Sequence, residues 1–260
     1  MLKILKYSFY DLIRSRWSYV YFLFYLLLSS VLLFLNNDLS KAVITLMNVV
    51  TVLVPLIGTI FGVMYYYDSK EFTELLLAQP IKRSTLFLGQ YFGVAISLSA
   101  SLLIGLGIPF LLYGIFSSAA IWDFTLLLVV GVFLTFIFTA LSFNIALRNE
   151  NKIKGFGYAI LLWLFMAVIF DGLLLISLVY FDDYPLDKFS LIASTLNPID
   201  LSRILILLKL DISALLGYTG AVFQKFFGTN SGMLISIFVL TLWVLIPVYF
   251  IYRKSLRKDF

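Results

Sequence analysis

Few side chains in this sequence could do chemistry. Cysteine and histidine are both absent from its 260 residues, and only five methionines are present. Without thiolate or imidazole no disulfide framework, haem ligation or zinc site can be built. The scattered methionines do not make a copper path, so no metal ligands are expected. No Gly-x-x-x-x-Gly-Lys-Ser/Thr occurs, nor even a Gly-Lys dipeptide. An ATPase phosphate loop therefore cannot lie in this chain. Ser-His dyads and histidine-based metalloprotease motifs fail for want of the base. No catalytic residues are expected.

Three stretches hold the remaining polar candidates. Asp171 follows Phe170 inside a long apolar block, roughly 15 residues from its inner start and so in the outer half. A carboxylate at that depth costs several kcal/mol unless it is paired, neutralised or hydrated. Two roles are open: an acid that locks neighbouring helices, or a polar lining of a transport path with Asn144 as a possible partner. The second stretch is the loop 68–85, with Glu71, Phe72, Thr73, Glu74, the run Leu75, Leu76, Leu77, then Pro80 and Arg83. It predicts a short helix ending near Gln79, because the residue before proline disfavours the helical region. Ser84 is then placed to cap the next helix. A short helix with three leucines suits docking into a groove on a soluble partner. The third stretch, Asn197-Pro198-Ile199-Asp200, reads as a helix start: Asn as N-cap, Pro in the first turn, Asp at the positive end. Arg203 and Asp211 follow it, and Asp182-Asp183 reads as a solvated helix end.

The elements that must position these residues are greasy. Hydrophobic residues make up 62% of the chain and charged ones 13%, with mean hydropathy +1.03. Soluble domains run near half apolar and about a quarter charged. Several blocks reach the roughly 20 residues that a helix needs to cross a bilayer core. The blocks are apolar on all sides, unlike the striped helices of a soluble core. Spans are predicted at 18–35, 42–67, 86–116, 124–147, 156–181 and 234–252. A bend or break in the outer half of the third is expected from Gly105, Gly107, Pro109 and Gly114. Residues 2–17 predict an amphipathic elbow helix in the membrane interface, with Lys3, Lys6, Asp11 and Arg14 opposite Leu2, Leu5, Phe9, Leu12, Ile13 and Trp17. No small-residue cleavage site follows, so this segment is expected to remain as an anchor.

Placing both termini in the cytoplasm leaves Lys41, Lys188, Arg203, Lys209 and Lys225 outside and the rest of the 19 Lys and Arg inside. The positive-inside rule selects that orientation. The net charge of +5 thus reads as membrane topology, not nucleic-acid binding. Residues 182–233 are predicted as outer-surface helices or a re-entrant pair buried against the bundle. A seventh span at Ile212–Phe227 would put Arg253, Lys254, Arg257 and Lys258 outside.

This pattern resembles the type-2 ABC exporter permeases over the whole chain: an elbow helix, six spans, and a first inner loop carrying a coupling helix at 68–83. In that family the loop reads Glu, Gly-Thr, a leucine run, then Pro and a basic residue. Glu71, Thr73, Leu75–Leu77, Pro80 and Arg83 match, and Phe72 stands where Gly is usual. Phe170-Asp171, Leu196 to Arg203 and Asp211 are similar to the permeases of nitrous oxide reductase maturation systems. The resemblance implies a single all-α transmembrane domain that forms a homodimer in the bacterial inner membrane. It also implies two copies of a separate cytoplasmic ATPase, which binds the ATP and Mg, and a periplasmic accessory protein. In this picture Glu71 to Leu77, Pro80 and Arg83 couple to the ATPase, Asp171 and Asn144 line a path, and Asn197, Pro198, Asp200, Arg203 and Asp211 face the outer partner or form a gate. Supplying copper or sulfur to the reductase's copper centres is the implied task. A general exporter of lipid, peptide or drug shares everything but the outer motif. A secondary transporter would need paired intramembrane ions and internal repeats, and a membrane enzyme a clustered acid-base site.

Overall fold

The structure is a computed structural model that describes residues 1–36, 38–181, 187–209 and 230–256. Among these residues there are helices and turns and no strand. Helix α1 (Leu2–Ile13) is followed by α2 (Arg16–Asn36), so the first helix is shorter than the expected 2–17. Ser15 makes the break, its Oγ accepting from the Ser18 N–H at 3.2 Å as a cap for α2. Then come α3 (Leu39–Asp68), α4 (Lys70–Leu77), α5 (Arg83–Leu112) and α6 (Ile121–Arg148). The fifth span is composite: α7 (Lys152–Leu164), one π-turn (Phe165–Ile169), and α8 (Phe170–Tyr180). The chain ends with α9 (Asp187–Thr195), α10 (Pro198–Lys209) and α11 (Asn230–Ser255).

Among the described residues six helices are long and apolar enough to cross a bilayer, or seven if the bent pair of α9 and α10 counts as one span, and the six all overlap the spans read from sequence. The third differs in its limits. It begins at Arg83 with Lys82 as an N-cap that makes no side-chain bond, so Ser84 does not cap it. It runs helically through Pro109 and stops at Leu112, where Gly114 turns the chain with φ 79°. That positive φ is cheap only without a Cβ. A proline three residues from the end removes a hydrogen bond where few follow, so of the expected bend or break the break does not occur.

Lipid tails are as apolar as leucine, so these helices need close backbone approach and hydrogen bonds to hold together. A Cβ on Gly62 of α3 would collide with Ser142 of α6, and one on Gly93 of α5 with Ser8 of α1. Small residues thus let α3 meet α6 and let α1 lie against α5. Aromatics fill what remains: Tyr25, Phe87, Tyr91 and Phe138 are fully buried, and Phe110 stacks on Phe124 at 4.2 Å. The third span is 67% buried across its apolar window, the fifth only 11%. Span three is therefore the axis of the bundle, and span five presents most of its surface outward.

Helices α9 and α10 meet at 112°. Ile199, Leu201 and Ile206 of α10 are fully buried, packed against α3, α6 and α11. Trp243 of α11 pins the corner by donating its indole N–H to the Thr195 carbonyl at 3.1 Å. Asp182-Asp183, Asp211 and the Ile212–Phe227 stretch lie outside the described residues.

Candidate functional site

The loop singled out in the sequence folds as a clamped helix. Thr73 is buried on α4 and donates to the Ser69 carbonyl at 2.8 Å, while its Oγ1 accepts from Gln90 Nε2 of α5 at 2.8 Å. Gln90, 1% exposed, also reaches Ser69 Oγ at 3.3 Å. One amide therefore ties the start of α4 to the N-terminal part of α5. Phe72 does not open the backbone as glycine would; it stays helical and stacks on Tyr7 of α1 at 4.7 Å. Lys70 and Glu74 pair along the outer face at 3.8 Å. The far side is left bare: Glu71, Glu74 and Pro80 are exposed, and Leu75 is 70% exposed, while Leu76 and Leu77 are half-buried. Arg83 stands in the first turn of α5.

The turn between α6 and α7 is tied to the same corner. Tyr67 donates its hydroxyl to the Asn149 carbonyl at 2.7 Å, and Lys152 pairs with Asp68 at 2.7 Å. Gly155 admits the Tyr67 ring, because a Cβ there would strike it. None of Tyr7, Tyr67, Gln90 or Lys152 was singled out from sequence. Only Asn151 carried a legible signal, as an N-cap accepting from the Ile153 N–H at 2.9 Å.

The second constellation joins Asp171 to the Asn197 motif. Asn197 caps α10, its Oδ1 accepting from the Ile199 N–H at 3.1 Å. Its amide donates to Asp200 Oδ2 at 2.8 Å and to the Met166 carbonyl at 2.7 Å. Met166 lies in the π-turn, so the cap of one helix satisfies a carbonyl at the irregular point of another. Arg203 Nη1 reaches Asp171 Oδ2 at 2.9 Å and stands 3.9 Å from Asp200 Oδ1. Pro198 occupies the first helical position, where its missing N–H costs nothing. Two acids, one guanidinium and one amide thus form a connected polar cluster between α8 and α10. Asp171 is paired, and its partner is Arg203, not Asn144.

Asn144 sits elsewhere. Its amide donates to the Pro247 carbonyl at 2.7 Å and to the Ala140 carbonyl at 2.9 Å. Lys254 donates to the Asn144 carbonyl at 3.1 Å and to its Oδ1 at 3.0 Å. The two residues proposed for one path therefore belong to two separate polar centres. Among the described residues no three acids gather as a metal site would require.

No family model matches the chain. It is 27% identical over 224 residues to a probable ABC transporter permease protein NosY of Pseudomonas aeruginosa, covering 78% of this chain and 80% of the relative. To the NosY permease of Stutzerimonas stutzeri it is 25% identical over 239 residues, covering 86% of this chain and 81% of the relative. A likeness running over most of both chains, and an all-helical fold with six apolar spans among the described residues, support a NosY-like permease subunit of an ABC transporter.

Proposed function

We propose that this permease couples a NosF-like cytoplasmic ATPase to a NosD-like periplasmic accessory protein, as a homodimer in the inner membrane serving assembly of the copper centres of nitrous oxide reductase. The observation that carries the coupling is Leu75: a large apolar side chain held 70% exposed on a helix whose other face is bonded to α5 and stacked on α1. An exposed leucine on a rigidly held short helix suits a groove on another protein. ATP-driven closure of the ATPase would push α4; Gln90 passes the displacement to α5, and Tyr67 and Asp68 pass it to the turn before α7. From α7 the route to the outer side is the π-turn, which meets Asn197 and, two residues beyond its end, the Asp171–Arg203 pair. The chain lacks thiol and imidazole, so a sulfur species or a mechanical signal fits this route better than a bare copper ion.

The test is co-purification from the native membrane, comparing wild type with L75E and the triple alanine variant of Leu75–Leu77. Wild type should bring down an ATPase. L75E should lose it while keeping its own yield and thermal stability, and cells carrying it should make a reductase deficient in copper centres. An ATPase retained at full stoichiometry by L75E would remove α4 as the docking element. Normal copper-centre content in a strain lacking this chain would remove the maturation role.

A further inference from the structure

A groove of about 570 Å³ runs between α6, α7 and α11, within the roughly 300–1,000 Å³ typical of ligand sites. Its length is lined by Leu242, Trp243, Ile246 and Phe250, and Arg148 and Lys254 close one end. Under the positive-inside orientation that end is cytoplasmic. From Val239 to Lys254 the groove follows sixteen residues of α11, or about 22 Å at helical rise. One leaflet with its headgroup layer measures about the same.

The charges decide what the groove takes. Among the described residues neither Arg148 nor Lys254 is in an ion pair, and the two face each other as like charges. Lys254 spends two of its three N–H groups on Asn144, leaving one to point outward. A second copy of the chain would have to bring an acid to this place. The acids of the six spans are Asp68, Asp123 and Asp171. Asp68 is held by Lys152 and Asp171 by Arg203, and Asp123 stands in the first turn of α6, at the opposite end from Arg148. No acid of the spans thus reaches this end unpaired, and the negative charge at hand at that depth is the anionic lipid headgroup, which basic pockets between spans on the cytoplasmic side take.

We propose that this groove binds one anionic phospholipid of the cytoplasmic leaflet, its phosphate on Arg148 and Lys254 and an acyl chain along Ile246, Trp243 and Leu242. Bound there, the lipid fills the space between spans four, five and six, beside the corner that Trp243 pins. The site requires only that the chain spans the bilayer in the stated orientation, and stands whether or not the ATPase coupling holds.

Trp243 lies in the groove and can report on it. In a full-length chain with Trp17, Trp122 and Trp163 changed to Phe, Trp243 is the sole indole. That chain is placed in phosphatidylcholine vesicles containing bromine-labelled phosphatidylglycerol or bromine-labelled phosphatidylcholine at equal mole fraction. Quenching should be several-fold stronger with the anionic lipid. R148Q, which alters an exposed side chain outside the core, should cut that preference on the order of fivefold. R148Q/K254Q should abolish it, and R253Q, outside the groove, should leave it intact. Equal quenching by the two lipids overturns the proposal, as does a preference surviving R148Q/K254Q. Quenching by neither lipid would place a protein surface in the groove and overturn it equally.

Discussion

Arg203 stands between two carboxylates, and the consequences of removing each member differ. Asp200 is 6% exposed, and its Oδ1 accepts no hydrogen bond, so the guanidinium 3.9 Å away is its main counter-charge. R203M leaves two acids facing each other in a poorly solvated place. A loss of about 2–3 kcal/mol is expected, below the range for fully buried pairs because Arg203 and Asp171 keep some solvent contact. D171N keeps an oxygen for Arg203 to bond and should cost about 1 kcal/mol. Thermal unfolding in detergent distinguishes them; D171N as damaging as R203M would make Asp171, not Arg203, the hub. A folded D171N with impaired output would give the acid a role beyond packing, and unchanged output would leave it structural. The sequence drew attention to Asp171 and to Arg203, but for different duties. They are 32 positions apart, and their meeting depends on α10 folding back beside α8. A helix buried on most sides carries no stripe from which such a register could be read.

At the level of elements, hydropathy was enough for the six spans because each must match a bilayer thickness, a constraint written directly into composition. Irregularities within them are another matter. The π-turn at Phe165–Ile169 has no proline or glycine to announce it; Asn197 donates to its Met166 carbonyl, a contact from a distant helix. N197A should therefore act on two elements at once, removing the cap of α10 and leaving that carbonyl unbonded, for about 2–3 kcal/mol together. The short helix α4 was legible in its limits, from Pro80, but not in its attachment. Gln90 looks like any polar residue in a span, and only its burial beside Thr73 makes it a clamp. T73V should cost about 1–2 kcal/mol and loosen α4 alone. Hydrogen exchange should accelerate across residues 71–77 and stay unchanged in the central turns of α5. Uniform protection in T73V would mean that the Tyr7–Phe72 stack, not the amide, holds the helix.

For the molecule as a whole, the decisive quantity is which way it faces, because every role assigned above depends on side. The bare leucine face of α4 has a use only if it meets the cytoplasm, and Arg148 with Lys254 meets anionic lipid only in the inner leaflet. Basic residues near the ends of short loops set orientation, acids contributing little. Here Lys70, Lys82, Arg83, Arg148, Lys152, Lys154, Arg253 and Lys254 fall at the same side of an alternating six-span chain. Because the natural chain has no cysteine, a single introduced thiol is an unambiguous reporter. E74C and R253C, both at exposed positions, should react with a membrane-impermeant maleimide in inverted vesicles and stay protected in intact spheroplasts. A119C, exposed between α5 and α6, should do the reverse. Labelling of E74C and R253C on opposite sides would require an odd number of crossings between them, making α9 and α10, or the stretch after them, a seventh span. Both reacting from outside would invert the chain and remove α4 from the reach of any cytoplasmic ATPase.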